Sequence, residues 1–176
     1  MKAIYCDAEI RPFHDRGIVL NKAERSCASL VISGRKSLIV YEFFEHTADL
    51  GIRIRSESLT GLYSEAGMAL TQVIIENPET IRCHQLHNVV ICQPALDLLL
   101  FDWLNELLYL FETKRLIFSR FNVSITGDTL QAEIEGEPWD ELRHHLDHEV
   151  KAITYHELSV RQQPDGNWLA EVIVDI

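Results

Sequence analysis

The sequence predicts an α+β fold, a largely antiparallel sheet layered against two main helices. Three observations carry this reading. Segments 58–75 and 94–112 place apolar residues at helical spacing. Short runs rich in β-branched residues fill much of the remainder of 41–176. Two turn signatures, Gly127-Asp128 and Pro164-Asp165-Gly166-Asn167, each join two such runs as a hairpin. Hairpins mixed with two solid helices point to an antiparallel sheet with helices packed on it.

The elements follow in chain order. Residues 42–46 and 50–56 read as short strands flanking the turn HTAD. Ser58 or Thr60 caps a helix running to about Ile75, with Leu59, Leu62, Ala66, Leu70 and Val73 at helical spacing. Asn77-Pro78 stops it. A strand is expected over 80–92, with a kink near His87-Asn88. Pro94 opens the strongest helix, ALDLLLFDWLNELLYLFE. Strands at 116–126 and 129–136 form the first hairpin, and Glu137 begins an irregular or helical connection to His148. Strands at 150–161 and 167–175 form the second hairpin.

Bulk properties bound the function. The chain has 176 residues, 47% hydrophobic and 24% charged, which suits one domain with its own core. No apolar run approaches the roughly 20 residues of a membrane span, and MKAIYCDAEI is not a secretory signal. A cytoplasmic location is expected, with no membrane partner. The four cysteines form no CxxC pair, so free thiols are expected there. A zinc site from Cys6, His14 and Cys27 matches no compact ligand spacing.

The net charge of -11 is unevenly spread. Residues 1–40 carry seven Lys/Arg against four Asp/Glu, whereas 41–176 carry nine against twenty-three. A basic face normally marks nucleic-acid binders. The main body here has the opposite sign, so direct nucleic-acid binding is not expected. A basic protein or a cation fits better. Residues 1–40 show little periodicity and read as an N-terminal extension of a domain spanning 41–176. Within it only CASLVISG and LIV could pair as strands, and an upstream translation start is a second origin for the segment.

Three stretches could carry chemistry. In EHTAD, Glu45, His46, Thr47 and Asp49 crowd the lip of a strand. A metal site, a catalytic site and a turn tied by side-chain to backbone bonds are all open readings. At the other end, EVIVDI sets Asp175 beside Ile176. If folding brings Asp49 near them, three anionic groups converge, and repulsion favours a cation or protonation. Oxygen donors of this kind suit calcium, magnesium or manganese. A frayed, solvated end is the alternative. The third stretch, HHLDHEVKAITYHE, is dense in histidine without a metal signature; a solvated loop and a metal site both stand. Lys151 and His156 lie five apart, so on one regular strand they face opposite ways unless a bulge intervenes. On the strong helix Asp102, Asn105 and Glu106 share a stripe, either its solvent face or the border of a cleft.

Taken together, FFEHTADLGIRI, WLNELLYLFE, RHHLDHEVKAITYH and the closing WLAEVIVDI resemble the archease family over about 41–176. The resemblance implies an archease-like fold. It also implies a protein that is not itself an enzyme but a cofactor of the RtcB-type RNA ligase, which seals tRNA halves. That ligase forms a guanylate on its own histidine with GTP and manganese, and archease promotes this step and multiple turnover. A divalent ion, calcium in the first place, would be held at Asp49, Asp175 and Ile176, the last through main-chain or terminal oxygen. Lys151 would lie near as a functional contact. His46 and Thr47 would shape the turn and its surroundings, and Glu106, from the stripe above, is the further candidate at the border of a cleft. His144 aligns with the family's RH, and the resemblance is silent on residues 1–40. The rival class is a metal-dependent hydrolase using the same carboxylates, with His46 or His156 as base. A structural adaptor with an incidental ion is a third.

Overall fold

The structure, a computed structural model, describes residues 40–46 and 49–176. The expectations for 1–39, including the extension, its two strand-like runs and the thiols of Cys6 and Cys27, lie outside these residues. So does Thr47.

Strands β1 (Val40–His46) and β2 (Asp49–Ser56) pair antiparallel. Helix α1 (Leu59–Ile74) follows because Ser58 adopts extended backbone and its Oγ accepts the Gly61 N–H at 3.1 Å. That bond satisfies one of the free donors of the first turn. A 3₁₀ turn (Pro78–Thr80) and strand β3 (Gln85–Cys92) come next. The strand expected from residue 80 thus starts later. The reason is local: the Arg82 N–H donates to the Glu137 carboxylate at 2.6 Å rather than to a strand partner. Cys92 is disulfide-bonded, contrary to the free thiols expected, and Cys83 is a thiol.

Helix α2 (Leu96–Lys114) closes on Arg115, which takes a left-handed φ of 53° and donates its N–H back to Leu110 O and Phe111 O. Strands β4 (Leu116–Thr126) and β5 (Thr129–Pro138) form the first hairpin, with Gly127 at φ 61° in its two-residue turn. The connection to residue 148 is irregular, not helical, so His144 and His148 do not share a helix face.

The expected strand 150–161 is two strands, β6 (Ala152–Ile153) and β7 (Ser159–Gln162), both paired with β8 (Trp168–Asp175). Ile153 opposes Val174 and Ser159 opposes Glu171, so three more residues lie on this side than a regular ladder allows. They loop out over 154–158, where Glu157 takes φ 53° and Tyr155 stacks on Phe101 of α2 at 3.8 Å. Lys151 and His156 therefore do not belong to one regular strand, and the parity rule does not govern them.

One sheet runs β1-β2-β8-β6, with β7 also on β8; the other runs β3-β5-β4. A single core joins them, with Ile52, Ile54, Val172 and Val174 from the first sheet and Leu130 and Ile134 from the second. The helices fill the space between through Leu62, Leu70, Leu100 and Trp103, and the Trp103 indole N–H donates to Tyr63 O at 2.9 Å. Among the described residues no helix is long and apolar enough to cross a membrane.

Candidate functional site

The register of β2 on β8 builds the site. Leu50 opposes Val174 and Gly51 opposes Ile173, so one step further Asp49 stands opposite Asp175. On the far side of β8, Asp175 faces Ala152; on the far side of β2, His46 pairs with Asp49. One row across four strands therefore reads His46, Asp49, Asp175, Ala152. Side chains alternate along a strand, and Ile52, Ile54, Val172 and Val174 point into the core. Asp49 and Asp175 consequently project from the outer face, away from the helices, and both are half-buried.

Lys151 joins them through an irregularity. Its N–H donates to Asp175 O at 2.8 Å, although Ala152 is the registered partner of Asp175. Two residues thus face one, the arrangement of a β-bulge, which redirects a side chain at a strand end. The Lys151 ammonium then donates to Ile176 O at 2.9 Å. Asp49, Asp175, Ile176 and Lys151 come together at one end of the sheet.

Glu106 stays on the half-buried stripe of α2, on the helix side of the sheet. His156 lies in the looped-out segment, 3.8 Å from Glu157. His46 is placed by its backbone alone.

Chemically, the sheet end offers two carboxylates and a main-chain oxygen. Such hard oxygen donors fit a hard divalent cation and not a thiophilic one. The ammonium already drawn to Ile176 O is a cation held at the same end. Among the described residues no three His, Cys, Asp or Glu side chains converge as a metal-binding group. Any ion here would rest on Asp49, Asp175 and the Ile176 oxygen, with water completing its coordination.

The profile of the Archease protein family (MTH1598/TM1083) matches residues 41–176. The chain belongs to the archease family. It is 36% identical over 140 residues to protein archease of Pyrococcus abyssi, covering 77% of this chain and 98% of that one. Protein archease of Methanosarcina mazei is 35% identical over 141 residues, covering 77% and 95%. The solution structure of protein 1598 of Methanobacterium thermoautotrophicum superposes with a TM-score of 0.69 at 32% identity, covering 77% of this chain and 98% of that one. The crystal structure of an archease, possible chaperone, from Thermotoga maritima shares the fold, with a TM-score of 0.54 at 21% identity over 76% and 94% of the two chains. The α+β architecture is thus that of known archease structures.

A second polar group of this archease was not anticipated from the sequence. Glu137, at the end of β5, is buried, and Arg143 clamps both its oxygens at 2.8 and 2.7 Å. Burial alone would raise the Glu137 carboxyl. The Arg143 guanidinium and the Arg82 N–H outweigh it and hold the group at about 2. His144 is also buried: its Nδ1 accepts the Asp140 N–H at 2.9 Å and its Nε2 lies 3.3 Å from Glu137. The accepting Nδ1 assigns the proton to Nε2. Burial, followed by the neighbouring Arg143 charge, lowers this imidazole below its ordinary 6.5. The group anchors the irregular connection, which continues through Asp147 N–H to Ile74 O and His148 N–H to Val73 O before reaching Lys151. In sequence, EPWDELRH reads only as an irregular or helical connection; the one available signal was the family's RH at Arg143-His144.

Proposed function

We propose that this archease is the protein activator of an RtcB-type tRNA-splicing RNA ligase, acting in the cytoplasm and carrying no ligase chemistry of its own. It promotes guanylylation of the ligase and multiple turnover through a divalent-cation site at Asp49, Asp175 and Ile176, with calcium as the ion and manganese or magnesium as alternatives. The observation behind this reading is the row that sets Asp49 opposite Asp175 beside the Lys151–Ile176 contact. When bound, a divalent ion supplies a fixed positive charge that neutralises the two carboxylates. Asp49 and Asp175 hold that charge, Lys151 orients the Ile176 oxygen, and His46, Thr47 and Glu106 are the further candidates around it. The excess of Asp and Glu over 41–176 attracts a basic partner and speeds encounter with it.

The test is ligase guanylylation with GTP and manganese, with and without this protein, for wild type, Asp49→Ala and Asp175→Ala. Both substitutions remove a carboxylate from the sheet end and no core volume, so both variants stay folded. Stimulation by wild type that disappears in both supports the reading. Absence of stimulation of a cognate ligase overturns it, and hydrolysis catalysed without any ligase would favour the metal-dependent hydrolase.

A further inference from the structure

Thr154 stands one row inward from the acid end. Its N–H donates to Ile173 O at 3.0 Å, which makes it the cross-strand neighbour of Ile173 just beyond β6. Ile173 and Asp175 are two apart on β8 and share a face, opposite to the core residues Val172 and Val174. Residues facing each other across two strands project on the same side, and diagonal neighbours lie within reach of one another. The Thr154 side chain therefore shares the outer face with Asp175, between the looped-out segment and the bulge that carries Lys151.

Its hydroxyl is the informative atom. Thr154 Oγ1 is buried and has no hydrogen-bond partner among the described residues. Leaving a buried hydroxyl unpaired is costly, and native proteins satisfy such groups with protein atoms or ordered water. The next residues in its row offer nothing: Ile173 is apolar and buried, and Gly51 has no side chain. Valine has the same branched shape and would fill this place without an unmet donor. Of the polar neighbours on this face, Glu171 is already engaged by Arg53 at 2.7 Å and Arg161 at 3.0 Å, which leaves those of the acid end.

From this we infer that the Thr154 hydroxyl belongs to the cation site, holding a water of the ion's coordination shell against Asp49 and Asp175. The inference rests on the cation-site reading above. Hydrogen bonds of this outer kind orient what binds the metal, and removing one typically weakens metal affinity about 10–100-fold.

Thr154→Val and Thr154→Ser test it, each titrated calorimetrically with calcium, magnesium and manganese chloride singly and melted with and without ion. In metal-free protein, Thr154→Val should melt at or above the wild-type temperature, because the unmet group is gone. Its affinity for the ion bound best by wild type should fall at least about 10-fold, and Thr154→Ser should bind as wild type does. Wild-type affinity in Thr154→Val overturns the role of Thr154 alone. A lower melting temperature in metal-free Thr154→Val also overturns it, because the hydroxyl would then be engaged within the protein. If wild type itself gives neither binding heat nor a melting shift with any of the three ions, the cation site fails, and the role of Thr154 fails with it.

Discussion

The ammonium of Lys151 lies 2.9 Å from the main-chain oxygen of Ile176, bridging a bulged strand end to the last residue of the chain as described. The side chain is exposed and adds no core packing. Replacing Lys151 with Met keeps the aliphatic stem and removes the donor. Melting of the variant should stay close to wild type, as for most exposed substitutions, while stimulation of ligase guanylylation falls. Unchanged stimulation would separate Lys151 from the function.

Acid should weaken this protein in two steps. His144 has a folded pKa below its ordinary 6.5, so between those two values the unfolded chain binds more protons and stability drops as pH falls below 6.5. Glu137 is held at about 2 against an ordinary 4.5, so its contribution is full above 4.5 and is lost as pH falls toward 2. That second loss is worth up to about 3 kcal/mol. Urea melts between pH 7 and pH 2 should show both declines, and His144→Asn should remove the upper one.

Arg143→Ala strands a buried carboxylate. Breaking such a pair from one side typically costs about 3–5 kcal/mol, because the remaining charge keeps its burial and loses its partner. Glu137 should then titrate higher, and the lower acid transition should move to higher pH. Chemical denaturation at pH 7 gives the cost; an unchanged midpoint would refute the clamp.

Two glycines should respond differently to alanine. At Gly136 a Cβ would stand 1.9 Å from Ile117 O, a main-chain atom beside the β4 bulge at Phe118/Arg120 that cannot step aside. Gly136→Ala should lose several kcal/mol, in the range of the severest single substitutions, or fail to fold. At Gly127 nothing lies within 4 Å, and the cost of Gly127→Ala is only that of φ 61°, about 1 kcal/mol. Expression and melting of the pair test this order.

Local signals in the sequence reached far. The Ser58 cap, both hairpins and the buried α2 follow from capping chemistry, turn residues and periodicity, each contained within a few residues. The meeting of Asp49 with Asp175 was only conditional, because the register of β2 on β8 is set by packing between distant segments. The bulge at Lys151 was only conditional, and the three looped-out residues were not legible, since 150–161 reads as one strand. Glu137 and Arg143 were hidden for another reason. Charged residues read as solvated, and their burial depends on a bidentate pairing that composition does not reveal.

The strand order has a kinetic consequence. Asp49 and Asp175 come from opposite ends of the described domain, on neighbours that meet only when β8 inserts between β2 and β6. Closing so long a loop is slow. A molecule in which β8 has not yet docked lacks the acid row. The two carboxylates therefore meet only once β8 is in place, which makes their juxtaposition a late event of folding.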